Sequence, residues 1–243
     1  MTKKKISTWH KFLGILFLLT GCASTEEIIR TDADPLENFN RAMFDFNDTL
    51  DKALLKPVAQ GYEYLLPDFV NQGITNFFNN LDEGIVIVHD VLQLKPKQTL
   101  VDTTRLVYNS IFGLGGFIDV ATPMGLPKNQ QDFGITLGRW GIGEGYYLIL
   151  PFLGPTTTRD IWSTPADIGL DPIRYVPIDL AVSIGLWTVK GVDIRADLLR
   201  VERAFAGAQI DPYSFQRQAY LQNRRNLVYE GNPPKLKLEF EEE

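Results

Sequence analysis

The chain has 243 residues, 44% of them apolar, with 24 basic and 30 acidic side chains and a formal net charge of −6. That acidity makes nucleic acid an unfavourable partner and argues equally against attachment to anionic lipid through a polybasic patch. One cysteine and two histidines leave no material for a disulfide or for a His/Cys metal centre.

The first element is short and greasy. Lys3, Lys4, Lys5 and Lys11 precede the run Phe12–Leu19, and Leu19-Thr20-Gly21-Cys22 closes it. A charged start, a brief apolar centre and small residues before a cut describe a signal peptide, residues 1–21. The run falls far below the ~20 residues that a spanning helix needs. Cys22, the sole cysteine, stands where a bacterial lipobox places the residue that receives a diacylglyceryl group. Processing there leaves 222 residues with 20 basic and 30 acidic groups, a charge of −10, in one domain-sized body. Attachment then depends on acyl chains, each buried CH₂ contributing ~0.8 kcal/mol, and on apolar surface. Ala23 and Ser24 carry no Asp-type retention signal. The expected address is therefore the outer membrane. Residues 22–33 read as a polar tether.

Asp34-Pro35-Leu36-Glu37 is a helix start, with Asp as N-cap, Pro at the first helical position and Glu three residues after the cap. Leu36, Phe39, Met43, Phe46 and Leu50 recur at three and four, an amphipathic helix. Pro57 and Pro67 cut the next stretch into short pieces. Val70, Ile74, Phe77, Phe78 and Leu81 mark another helix, and Leu100, Thr104, Val107 and Ile111 a further one. Between them Ile85–Leu92 is apolar on nearly every face: its β-branching suits a strand, while its neighbours argue for a buried or lipid-facing helix. From Gly113 to Pro155 glycines interrupt every candidate helix and enclose the dense apolar run Tyr146–Leu153. A structureless stretch this long is odd in a compact domain unless it is functional. Gly141, Gly143, Gly145, Pro151 and Gly154 are the hinge candidates of a mobile or membrane-dipping loop, and an ordinary strand pair is the alternative. Helical spacing returns with Ile178, Val182, Leu186 and Val189 on one face and Ile194, Leu198, Val201 and Phe205 on another. Asp211-Pro212 starts a last helix through Leu227. Residues 231–243, with Pro233-Pro234 and an acidic end, have the composition of a disordered tail. One domain, residues 34–230, is expected, without internal repeats.

Chemistry is sparse. His89, the one histidine left after processing, sits in an apolar run with no nucleophile near it in sequence, which suits a packed or partner-bonded ring. There is no Gly-x-Ser-x-Gly elbow, no Gly-x-Gly-x-x-Gly after a strand and no Walker loop. Asp132-Phe133-Gly134 matches a kinase tripeptide without its companions. Asp119 with Asp132, or Asp160 with Asp167, are imaginable glycosidase dyads, but thirty acids make such pairs inevitable. No catalytic residue, metal or cofactor is expected.

Several blocks, read in order, resemble the MlaA family, also called VacJ, of outer-membrane phospholipid-trafficking lipoproteins. They are Asp34-Pro35-Leu36-Glu37-Asn38-Phe39-Asn40-Arg41 with Met43-Phe44-Asp45-Phe46-Asn47; Lys56-Pro57; Asn76-Phe77-Phe78-Asn79-Asn80-Leu81; Asn109 through Asp119; Asp132-Phe133-Gly134 with Leu137-Gly138; Leu150-Pro151-Phe152-Leu153-Gly154-Pro155 with Arg159-Asp160; and Asp211-Pro212-Tyr213. One departure is Gly145-Tyr146-Tyr147 where Gly-Pro-Tyr is expected. The resemblance implies a mainly α fold, a ring-like bundle of short amphipathic helices around a polar central channel, with a Gly-rich loop or hairpin segment. It also implies association with trimeric porins, and removal of mislocalised outer-leaflet phospholipid to a soluble periplasmic carrier, which maintains lipid asymmetry. Under that reading Asn38, Asn40, Arg41, Asp45, Phe46 and Asn47 are candidates for the channel wall or its gate, and Arg159 for contact with lipid phosphate. The alternatives are a solvated helix face and pairing of Arg159 with Asp160 or another acid. The competing functions are a structural lipoprotein that scaffolds porins or the envelope and, behind it, a lipid-degrading hydrolase.

Overall fold

The structure, a computed structural model, describes residues 34–205 and 211–234. The signal peptide 1–21, the tether with Cys22 and tail residues 235–243 fall outside that range.

Helix α1, Glu37–Leu50, begins two residues later than its signal suggests. Asp34 Oδ1 accepts from the Leu36 N–H at 3.0 Å and the Asp34 carbonyl accepts from the Glu37 N–H at 3.1 Å. The Asp-Pro pair therefore closes a turn that feeds the helix, and Leu36 occupies the cap position. Nor does Pro57 break the chain. A π-turn, Asp51–Leu55, leads directly into α2, Lys56–Leu65, and the Lys56 N–H bonds the Asp51 carbonyl five residues back. The added residue carries the backbone past a ring that lacks an N–H and would clash with a regular helical turn. Pro67 does separate elements, because Leu66 before it is extended, as the residue preceding a proline prefers.

Helix α3, Asp68–Leu92, fuses two expected segments, and Ile85–Leu92 is its C-terminal third. There Val86, His89 and Asp90 are buried while Val88, Val91 and Leu92 are exposed. A tight turn with Leu94 at φ 56° returns the chain into α4, Pro96–Phe112, which packs along α3. The glycine-rich region corrects the expectation that no helix survives in it: Phe133–Arg139 form α5, capped by Asp132 Oδ1 on the Ile135 N–H at 2.8 Å. Tyr147–Leu150 (β1) and Gly154–Thr157 (β2) pair antiparallel with Tyr147 opposite Thr157 and Leu150 opposite Gly154, the strand-pair alternative. Ser163–Leu170 form α6, and Leu180–Ala204 form α7, which unites both late apolar faces except Ile178 before it and Phe205 at its C-cap. Helix α8, Pro212–Val228, starts where its cap predicts, Asp211 accepting from the Tyr213 N–H.

Within the unit Ala33–Pro233 the neighbours close a circuit. Helix α1 packs on β1, β2 and α5 both touch α8, α5 touches α3, α3 touches α7, and α7 lies along α2. The buried residues of this unit are unusual. Among the described residues seventeen buried side chains are polar or charged and thirteen are apolar. The apolar clusters are small, one of Tyr147, Ile149, Tyr213 and Leu221 and one of Ala59, Ala196 and Leu199. Meanwhile Leu65, Phe69, Leu94, Leu100, Ile111 and Leu114 are 65–86% exposed. No described helix is long and apolar enough to cross a membrane.

Candidate functional site: a charged cavity beside a pinned hairpin

The β-hairpin is fastened to α1 by two side-chain amides. Asn40, fully buried, accepts from the Ile149 N–H at 2.9 Å and donates to the Tyr147 carbonyl at 3.0 Å and to the Asp34 carboxylate at 3.1 Å. Asn47 lies seven residues on, hence on the same helix face. It accepts from the Phe152 N–H at 2.8 Å and donates to the Leu150 carbonyl at 2.9 Å. Phe46 meets Phe152 edge to face at 5.3 Å. Of the hinge candidates, Gly141, Gly145 and Gly154 hold φ between 68° and 91°, and Gly143 does not; Pro151 is exposed in the turn.

The other predicted residues have separate duties. Asn38 and Asp45 are exposed. Arg41 grips Asp211 with both terminal nitrogens, at 2.7 and 3.2 Å, and stacks its guanidinium 4.4 Å from the Tyr213 ring centre. The hydrogen bond from Arg41 holds the Asp211 carboxyl well below the usual carboxylate range. Arg159 is buried and pairs with Asp160 Oδ1 at 2.7 Å, which is the acid-pairing alternative. Asp160 in turn meets Arg224 Nε at 2.9 Å, and Arg224 binds both oxygens of Asp132. Burial would raise the Asp132 and Asp160 carboxyls. The hydrogen bonds and charges of Arg224, joined at Asp160 by Arg159, nonetheless hold both below their ordinary value. Carboxylates locked this way are ion-pair partners and supply no proton for acid catalysis. His89 is fully buried, with Nε2 2.8 Å from Asp167 Oδ1 and Nδ1 3.1 Å from Thr136 Oγ1. Among the described residues no cluster of His, Cys, Asp or Glu is arranged to hold a metal ion.

Between α1, the π-turn, the hairpin, the last turns of α7 and the start of α8 lies a cavity of about 540 Å³. Six charged side chains line it. Arg195 binds Asp51 through two parallel bonds of 2.6 and 2.7 Å and Glu202 at 3.1 Å; Glu202 also takes Lys56, and Lys52 takes Asp48 at 2.6 Å. Phe44, Ile149, Leu198, Val201 and Phe215 complete the wall on its apolar side. Asn47 is the only one of the predicted first-helix residues that lines it. Sequence reasoning missed Asp51, Lys56, Arg195 and Glu202. The trace that existed was a pair of charges seven residues apart, Arg195 and Glu202, interleaved with the stripe Ile194, Leu198 and Val201.

These features define a class: a mainly helical protein that buries polar and charged side chains and leaves many large apolar ones exposed. The MlaA lipoprotein family matches residues 32–227, and the chain belongs to that family. The intermembrane phospholipid transport system lipoprotein MlaA of Escherichia coli K12 is 41% identical over 219 residues, spanning 88% of this chain and 85% of that one. Its namesake in Haemophilus influenzae is 34% identical over 218 residues, 88% and 87% of the two chains. A solved structure described as "Structural basis for maintenance of bacterial outer membrane lipid asymmetry" is similar at a TM-score of 0.69 and 36% identity, over 82% of this chain and all of that one.

Proposed function

We propose that this chain works in intermembrane phospholipid transport as a passive conduit. Anchored in the periplasmic-side leaflet of the outer membrane through lipidated Cys22, it lets phospholipid misplaced in the outer leaflet leave for a soluble periplasmic carrier, beside trimeric porins, and so maintains lipid asymmetry. The observation that carries this reading is the inverted distribution of polarity: Asn, Asp, Glu and Arg buried, Leu, Phe and Ile exposed. Water makes such an arrangement expensive, whereas acyl chains welcome the exterior. The names of the relatives point the same way.

Magnitudes explain why a conduit is needed. Drawing a two-chain lipid into water exposes some 30 CH₂ groups, roughly 25 kcal/mol at 0.8 each. Taking a charged head group through hydrocarbon is costly as well. A polar bore with a greasy outside lets the head group move past charged side chains while the tails stay in lipid. The sequence has no nucleotide-binding loop. Direction is therefore set by the lipid gradient and the acceptor, and no bond is broken.

The test is reconstitution in vesicles whose inner leaflet alone carries labelled phospholipid, with the protein anchored in the outer leaflet and a soluble lipid-binding acceptor outside. Intact labelled lipid moving faster with protein than without supports the conduit. No change in rate points to a scaffold, and lyso-lipid among the products points to a hydrolase; either overturns the reading.

A further inference from the structure

The 540 Å³ cavity carries a charge pattern that selects among head groups, and this deepens the conduit reading, on which it rests. Its lining holds three cations, Lys52, Lys56 and Arg195, and three carboxylates, Asp48, Asp51 and Glu202, so its formal charge is zero. The charges are not scattered. Each lies within ion-pairing distance of an opposite partner, as a separate Lys52–Asp48 pair and a chain Asp51–Arg195–Glu202–Lys56. Exposure is graded along the chain: the side chains of Arg195 and Asp51 are 15% and 23% exposed, those of Lys56 and Glu202 30% and 45%. The inner pair is a fixed, bidentate structural contact. The outer pair is partly solvated and held by one bond, so it opens at little cost.

We infer that this cavity is a head-group subsite for zwitterionic phospholipids, in which the Lys56–Glu202 pair parts so that lysine meets the lipid phosphate and glutamate meets the lipid ammonium. A zwitterion exchanges one ion pair for two and leaves the cavity neutral. A net anionic head group satisfies Lys56 but brings the lining to a net negative charge and leaves Glu202 to share Arg195 with Asp51. The apolar wall of Phe44, Leu198, Val201 and Phe215 takes the glycerol and the first methylenes of the tails. Selection comes from the balance of charge, so it moves predictably when that balance is changed.

The experiment uses the full-length lipoprotein in detergent, offered equal amounts of phosphatidylethanolamine and phosphatidylglycerol, with co-purified lipid measured by mass spectrometry. Wild type enriches the zwitterion. Glu202→Gln leaves the lining at +1 and shifts the ratio toward the anionic lipid by roughly threefold, mid-range for one partly solvated pair. The double variant Lys56→Gln, Glu202→Gln restores neutrality and returns the ratio toward wild type; thermal melts confirm that each variant folds. A ratio indifferent to all three proteins, an anionic preference in wild type, or no retained lipid at all overturns the inference. Lipid transfer is measured in parallel. Normal transfer with an indifferent ratio sinks this inference alone. Absent transfer with the ratio pattern intact sinks the conduit and sustains the lipid site.

Discussion

Asn40 has its donors and its acceptor committed at once, to Asp34, to the Tyr147 carbonyl and to the Ile149 N–H, at a position with no solvent. Truncation to alanine leaves the backbone groups of two buried residues unpaired, and each such loss costs about 1–3 kcal/mol. In a domain of this size 1 kcal/mol moves the melting temperature by about 2–4 °C. Asn40→Ala is therefore expected to melt roughly 5–10 °C below wild type in detergent, followed by circular dichroism. Asn38→Ala, two residues away on the exposed face, should stay within about 2 °C, since surface changes of this kind fall inside ~0.5 kcal/mol. Equal effects would show that Asn40 is no pin. The contrast also marks how far sequence went at this scale. The polar set Asn38, Asn40, Arg41, Asp45 and Asn47 was visible as residues interleaved with an apolar stripe. Which two of them face the hairpin depends on a strand pair more than a hundred residues away.

Element α5 shows why glycine misleads. Each glycine costs about 1 kcal/mol relative to alanine inside a helix, which argued against any helix between Gly113 and Pro155. What outweighs that cost is close approach. A Cβ on Gly134 would lie 2.4 Å from Asp160 Oδ1 and 2.7 Å from Ser163 Oγ, inside the ion-pair cluster around Arg224. Gly134→Ala is accordingly expected to destabilise by about 1–3 kcal/mol, as overpacking does. Gly61→Ala in α2, where a Cβ meets nothing within 4 Å, should stabilise by up to about 1 kcal/mol. The same substitution thus takes opposite signs in two helices, and denaturant or thermal melts read both. Signals that act locally were legible, as at Asp211-Pro212, while Pro57 was misjudged because its relief, the π-turn, spans five residues that carry no distinctive pattern. The α3–α4 pair adds a pH dependence. Asp90 on α3 and Asp102 on α4 are both fully buried and share the Asn129 amide, which lies 3.3 Å from the one and 3.0 Å from the other. Burial, then the hydrogen bond and charge of Asp102, push the Asp90 carboxyl up to about 7, with Lys95 opposing. The folded protein therefore keeps a proton that the unfolded chain releases near 4. The resulting stability is complete below the unfolded value, declines as pH climbs through the window to about 7, and is gone above it. Wild type should melt at least about 2–4 °C lower at pH 8 than at pH 5, and Asp90→Asn should lose most of that difference. A variant that keeps the full slope would remove Asp90 as its source.

At the scale of the whole molecule the fold class was legible and the interior was not. Helical periodicity survives any partner, so several helices were visible in the spacing, while the mainly α class came from the family resemblance. The cavity joins residues 48–56 to residues 195–202, and no local pattern announces that Arg195 will meet Asp51. Periodicity also leaves open whether an apolar stripe faces a core or lipid. The structure places Leu100 and Ile111 of α4 outward, 68% and 65% exposed and three turns apart on one face. If that face lies in acyl chains, an acid there carries the cost of a charge in hydrocarbon, about 2.5–3.5 kcal/mol at the centre of a membrane and less near its edge. Two acids should then weaken membrane binding by well over tenfold even when each costs only about 1 kcal/mol. The Cys22→Ser protein, which lacks the acyl anchor, is the background in which to see this, because binding then depends on the rim alone. Flotation with vesicles is expected to recover that protein with the lipid, and to leave its Leu100→Asp, Ile111→Asp derivative in the aqueous fraction with an unchanged helical spectrum. Both positions are solvent-facing in the isolated fold, so the substitutions remove no internal contact that folding requires. Were the doubly acidic protein to float as well as its parent, the exposed face of α4 would not be in lipid, and the inverted polarity would need another cause.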